Sequence, residues 1–161
     1  MTYSIIGILA SILLIITNRD IFFRHELSQM SANRRNYRRF LLGVLAYYLT
    51  DAAWGILESH RLTALLFADT TAYFAAMALA VLLWTQYVVS YLDTRNRFEK
   101  FIELAGRIFF VFETVVLIAN FYQPVLFYLD EDGAYHAGLA RYITLALQIL
   151  MFLLTSIYTL H

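Results

Sequence analysis

The chain has no cysteine, one proline, one lysine and no two adjacent glycines. Each scarcity excludes a class of chemistry. Without cysteine there are no disulfides, thiol nucleophiles or cysteine metal sites. The strings GxGxxG, GxSxG and HExxH and the phosphate-binding P-loop are all missing. The lone lysine, Lys100, sits at a charged boundary, so no apolar segment carries an amine for a retinal Schiff base. His25, His60, His136 and His161 all fall outside the apolar runs, which argues against haem or metal ligation within a membrane. Glu58 and His60 alone are too few for a metal site. No catalytic residue, metal site or cofactor is expected, and the chain is not expected to be an enzyme. Twelve basic and twelve acidic residues cancel, so overall charge gives no reason to expect a nucleic-acid partner.

Charge itself is scarce. Charged residues make up 15% of the chain and hydrophobic ones 61%, where soluble domains have about 25% and roughly 45–50%. The mean hydropathy is +0.62. The apolar residues come in blocks, and a helix needs about 20 of them to cross the hydrocarbon core. Five stretches meet or approach that length: Thr2 to Thr17, Phe40 to Ser59, Thr63 to Leu92, Phe101 to Phe121 and Leu139 to Leu160. The expected fold is all-α, a polytopic integral membrane bundle of five transmembrane helices forming one domain over residues 1–161. The opening MTYSIIGILASILLIIT lacks a basic n-region and a small-residue cleavage site. It reads as a retained first helix that continues into Asn18 and Arg19.

Basic residues set the orientation. Arg19, Arg24, Arg34, Arg35, Arg38, Arg39, Arg95, Arg97 and Lys100 fall in the connections between spans one and two and between spans three and four. The opposite side holds Arg61 and Arg141 with the acidic run Asp130, Glu131 and Asp132. By the positive-inside rule the amino terminus lies outside and His161 inside. The expected location is the bacterial plasma membrane, crossed several times. For the RRNYRR cluster, topology and contact with anionic lipid suffice.

The acids within apolar segments ask for another explanation. Tyr47, Asp51, Trp54 and Glu58 recur at helical spacing on one narrow face. Leu45, Leu49, Ala52, Ala53 and Ile56 form the reverse face, suited to lipid. A carboxyl group in hydrocarbon is costly, and the cost falls when it faces the bundle interior or water. Ser4, Gly7, Ser11 and Asn18 line one side of the first span. In the third, Ala68, Ala72, Ala76 and Ala80 recur every four residues, the spacing for close helix approach, with Asp69 and Tyr73 beside them. Gly106, Glu113 and Asn120 step by seven along the fourth. Arg141, Thr144, Gln148, Thr155 and Thr159 lie close to one line on the fifth.

At about 1.5 Å per residue, Asp51 lies ~16 Å and Glu113 ~18 Å from the inner ends of their spans, and Asp69 ~9 Å from the outer end of its own. Glu58 and Arg141 are at the outer rim. The expectation is an outward-open acidic pocket of Asp51, Asp69, Glu113 and Glu58, walled by Tyr47, Trp54 and Tyr73, with Arg141 as counter-ion. It would hold a cationic or hydrogen-bonding small molecule, or pass a proton. The plainer alternative is that the acids are neutral, hydrogen-bonded links between helices. Trp84, Tyr87 and Tyr91 are expected at the lipid interface. LFYLDEDGAYHAG, 126–138, reads as an outer loop turning at Asp132 and Gly133.

The strings YYLTDAAWGILE, DTTAYFAAMALAVLLWTQYVVSYL and DEDGAYHAGLARYITLALQILMFLLTSIYTL, in that order, resemble a known kind of region. They look like the amino-terminal multi-helix membrane region ahead of GGDEF diguanylate cyclase domains of Firmicutes, related regions of which precede histidine kinase modules. The DxxWG and LWxxYVVxYL strings are the more specific parts, and the likeness covers nearly the whole chain. It implies a sensory input domain coupled to a cytoplasmic effector and to cyclic di-GMP signalling. The chain has no GGDEF string of its own, so it is expected to be a fragment of a longer sensor.

Three functions compete. The first is a membrane input domain whose ligand biases helix packing. The second is a small proton- or cation-coupled carrier that works as a dimer. The third is a scaffold that uses the alanine stripe as a homodimer seam. The partners expected are the bilayer, a small-molecule ligand and a cytoplasmic effector.

Overall fold

The computed structural model describes residues 2–23, 31–92 and 96–160. Arg24, His25, Arg95 and His161 lie outside them. In chain order the elements are α1 Thr2–Thr17, α2 Arg19–Phe22, α3 Ala32–Ser59, α4 Thr63–Leu92, α5 Arg97–Asn120, β1 Phe127–Leu129, β2 Tyr135–Ala137 and α6 Leu139–Leu160. The chain is thus almost wholly helical. Among the described residues, Ala32–Ser59, Thr63–Leu92 and Leu139–Thr159 are long and apolar enough to cross a membrane. Helix α1 is apolar but shorter. Helix α5 has the length, but Glu103, Arg107 and Glu113 interrupt its apolar stretch.

Several helix boundaries differ from the sequence expectation; α5 runs Arg97–Asn120, where the apolar stretch spans Phe101 to Phe121. The first helix stops at Thr17, and Arg19 opens the short α2. The Asn18 side chain explains the stop. Its Nδ2 donates to Leu14 O at 3.0 Å, and its Oδ1 accepts from the Tyr37 hydroxyl at 2.9 Å. The carboxamide closes the end of α1 and ties it to α3, leaving no continuous helix into Arg19. The RRNYRR segment, read as a connection, is the first part of α3. Ser31 caps that helix by accepting from Arg34 N–H.

The small polar face of α1 packs on α3. Ser4, Gly7 and Ser11 are buried, and the missing side chain at Gly7 is what permits the approach. A Cβ there would lie 2.9 Å from both Ala52 N and Tyr48 O. The face of α3 assigned to lipid is therefore partly an interface. Ala52 is buried against α1, while Leu49 and Ile56 stay exposed. Sequence periodicity finds one polar face, and the other was assumed to be lipid. It cannot see that a small-residue face attracts a small-residue helix.

Helix α4 is the centre of the bundle, packed against α3, α5 and α6. Its alanine stripe divides. Ala76 is buried and Ala80 lies under Gly43 of α3, whereas Ala68 and Ala72 remain open. The inner half of the stripe is used within the chain. Trp84, expected at the lipid interface, is half-buried and links two helices. Its Nε1–H donates to Thr155 Oγ1 of α6 at 2.9 Å, and its ring sits 5.1 Å from that of Phe40. Tyr87 is half-buried with its ring 5.0 Å from Tyr37, while Tyr91 is exposed as expected.

Between α5 and α6 the acidic segment forms a β-hairpin pairing Phe127 with Ala137, Tyr128 with His136 and Leu129 with Tyr135. Gly133 supplies the positive φ of the turn, +80°, where a Cβ would be strained. The hairpin's inner side closes one end of the bundle: Phe127 is fully buried and stacks on Phe74 and Tyr135. Asn120, buried at the last turn of α5, holds it there. Its Oδ1 accepts from Leu126 N–H at 2.8 Å and Phe127 N–H at 3.1 Å, and its Nδ2 donates to Phe127 O at 3.1 Å.

Two substitutions test this architecture. Asn120→Leu leaves those backbone groups buried and unpaired, at about 1–3 kcal/mol per group. It should lower the thermal midpoint sharply and raise amide exchange at Leu126 and Phe127. An unaltered midpoint would show that the carboxamide does not hold the hairpin. Arg61 follows the His60 cap of α3 with φ 54°, its N–H bonded to Glu58 O and that of Leu62 to Leu57 O. This is a position that favours glycine. Since a left-handed non-glycine residue costs roughly 1–2 kcal/mol, Arg61→Gly should raise the midpoint. A drop would refute that reading of the turn.

Candidate functional site

The helices that carry the acids leave a cavity of about 420 Å³ at the hairpin end of the bundle. Asp51 and Trp54 enter from α3, Tyr73, Phe74 and Met77 from α4, Tyr135 from β2, and Arg141 and Leu145 from α6. Thr70 also lines it, with its hydroxyl donating to Leu66 O at 2.7 Å. Four separate elements thus contribute walls. The carboxyl of Asp51 and the guanidinium of Arg141 are the charged groups in the lining.

Of the eight residues singled out from sequence, Asp51, Trp54, Tyr73 and Arg141 line this cavity. Tyr47 stands directly behind, its hydroxyl 2.9 Å from that of Tyr73 and the two rings 4.8 Å apart. That pair fastens α3 to α4 at the cavity wall. Asp69 is one turn from Tyr73 on α4 and interacts electrostatically with Asp51. Its Oδ2 is buried without a hydrogen-bond partner.

Glu58 and Glu113 do not join them. Glu58 lines a smaller hollow of about 200 Å³ with Arg61, Thr63, Asp132 and Gly133, between the α3–α4 turn and the hairpin turn. Glu113 is fully buried at the α5–α6 seam. Its Oε2 accepts from the Thr144 hydroxyl at 2.8 Å, and its Oε1 has no hydrogen-bond partner. The single acidic pocket expected from helix depth is therefore two features, a cavity at Asp51 and a buried carboxyl at Glu113. Depth along a helix says nothing about azimuth. Glu113 and Asp51 lie on helices that face α4 from different sides.

Sequence reasoning missed Thr70, Phe74, Met77, Tyr135 and Leu145. Thr70, Phe74 and Met77 were within reach, because with Tyr73 they occupy one face at helical spacing. Tyr135 gave no signal, since its place depends on the hairpin folding back over the helices. There it stacks on Phe127, meets Trp54 edge-on at 6.4 Å between centroids, and lies under the Arg141 guanidinium at 5.3 Å. Burial holds its phenol above the ordinary range, so it stays neutral. Stacking of a guanidinium on an aromatic face fixes its position and leaves its N–H groups free to donate.

Asp130 anchors the hairpin turn from the solvent side. One carboxyl oxygen accepts from Asp132 N–H at 3.1 Å and Ala134 N–H at 2.8 Å, and the other from His136 Nε2 at 2.9 Å. The His136 hydrogen bond, then the backbone ones, hold this carboxyl below its ordinary range. The acidity of the loop is thus partly turn chemistry.

The chain matches no family model, no curated protein and no solved structure.

The Asp130 geometry fixes a pH response. A carboxyl whose folded pKa is depressed contributes stability above its unfolded value, and that contribution is lost as pH falls through the folded value. Protection of the Ala134 amide from hydrogen exchange should persist down through the ordinary aspartate range near ~4 and fail only below it. Asp130→Ala should remove it at every pH. Loss of protection in the wild-type chain already above about pH 5 would contradict the assignment.

Proposed function

We propose that the chain is a membrane-embedded input module that binds a small molecule at the Asp51 cavity and passes the event along α6 to a cytoplasmic effector. The supporting observation is that one cavity takes its walls from α3, α4, the hairpin and the start of α6. Helix α6 then continues to the opposite end of α4, where Thr155 meets Trp84 and Tyr158 packs with Val88 and Ile102. A ligand there touches a helix whose far end lies on the side carrying most of the basic residues. A ligand shifts such a bundle only by its difference in affinity for two packings, and a wall shared by four elements makes that difference available.

In this reading the five helices α1, α3, α4, α5 and α6 cross a bacterial plasma membrane with the hairpin end outside. The charge bias supports it: the basic residues of the two connections collect at one end, and Asp130, Glu131 and Asp132 at the other. The resemblance to regions ahead of GGDEF and histidine kinase modules suggests the output, cyclic di-GMP synthesis being the first to test.

The test is a fusion of the full chain to a diguanylate cyclase domain. Asp51→Asn and Arg141→Gln should each change cyclic di-GMP output several-fold at equal membrane levels. Unchanged output in both removes the cavity from signalling. A second reading, a proton or cation carrier, draws on Glu113, whose Oε1 is buried and unpartnered. It requires flux in proteoliposomes of the isolated chain that Glu113→Gln abolishes.

A further inference from the structure

We infer that the cavity takes a zwitterion with an apolar body, an α-amino acid bearing a large aliphatic or aromatic side chain. Its ammonium would sit at Asp51 and its carboxylate at Arg141. The inference rests on the cavity being a ligand site, as proposed above, and adds what the site selects.

Asp51 and Arg141 line the same void from different helices, yet they do not pair with each other. Neither has an ion-pair partner among the described residues. Two opposite charges in a shared hollow of low dielectric attract strongly when nothing holds them apart. Here the Tyr135 ring positions the guanidinium on the hairpin side, and the Asp51 carboxyl is on α3, the helix across the void. Asp69 of α4 lies close enough to Asp51 to interact with it. The cavity is therefore acidic at one end and basic at the other.

A simple cation would satisfy Asp51 but meet the field of Arg141. A simple anion would satisfy Arg141 and meet that of Asp51. A zwitterion completes both ends, and the planar fork of arginine suits a carboxylate in two parallel hydrogen bonds. Apart from Thr70, the rest of the lining is apolar or aromatic: Trp54, Phe74, Met77 and Leu145, with the rings of Tyr73 and Tyr135. They would desolvate a hydrophobic side chain. The volume of about 420 Å³ lies in the range of roughly 300–1,000 Å³ typical of small-molecule sites, which suits a single amino acid better than a peptide.

Such a ligand also has a mechanical consequence. Helix α3 holds α1 and α4 closely, whereas α6 leans on α4 and α5. A molecule bonded to Asp51 at one end and Arg141 at the other would tie α6 to α3 across the void. Among the described residues no hydrogen bond or ion pair shown joins those two side chains.

The experiment is calorimetric titration of the full chain in detergent micelles. Its probes are phenylalanine and leucine, with phenethylamine as the ammonium-only half and 3-phenylpropionate as the carboxylate-only half. Phenylalanine should bind at least about tenfold more tightly than either half, since each lost partner leaves a desolvated charge unpaired. Asp51→Asn should erase its advantage over 3-phenylpropionate, and Arg141→Gln its advantage over phenethylamine. Phenethylamine binding as tightly as phenylalanine would overturn the zwitterion and leave a cation site in the same cavity. No binding by any of the four probes would overturn it too. The cyclase fusion decides independently whether the cavity signals.

Discussion

The carboxamide of Asn120 decides what exists at one end of the molecule. A loop leaving a helix at that depth must find partners for its backbone groups or take them to water. Asn120 answers with both atoms of its amide, receiving two N–H groups and donating to one carbonyl. The chain then reverses over the helix ends instead of leaving them. Phe127 follows into the core against Phe74, Tyr135 stacks behind it, and Leu139 begins α6 beside the cavity. The cavity wall contributed by Tyr135 and Arg141 depends on that one side chain.

The same economy of polar groups runs through the bundle. Inside apolar surroundings helices gain little from burying one more leucine, and association relies on close backbone approach and hydrogen bonds between helices. Four of the seams show such devices. Gly7 lets α1 reach the α3 backbone, Tyr47 and Tyr73 join α3 to α4, Trp84 and Thr155 join α4 to α6, and Glu113 and Thr144 join α5 to α6. Interhelical hydrogen bonds of this kind contribute about 0.6 kcal/mol on average. Individually they specify register more than they stabilise.

These links are unevenly spread. Helices α3 and α4 are joined along most of their length, whereas α6 approaches the others sparsely. It is pinned at Thr144 and Thr155. A helix held at a few points can adopt a second arrangement at modest cost, and the cavity lies against its first turns. Asp51 and Arg141 face that cavity from α3 and α6 without forming an ion pair with each other.

The amino-acid sequence by itself determined the helices and their inward faces. Unbroken apolar runs place α4 and α6 at the expected boundaries, and recurring small and polar residues mark which side of α1 and α5 turns inward. Helical periodicity and depth also sufficed to mark Asp51, Trp54, Tyr73 and Arg141 as inward-facing candidates. Tertiary structure alone decided which inward faces meet. Periodicity fixes a residue's angle about its own helix axis and its depth along it, but not the placement of one axis around another. For that reason Glu113 goes to α6 instead of Asp51, Ala52 goes to α1 instead of lipid, and Tyr135 reaches the cavity from a segment whose sequence marks only a turn.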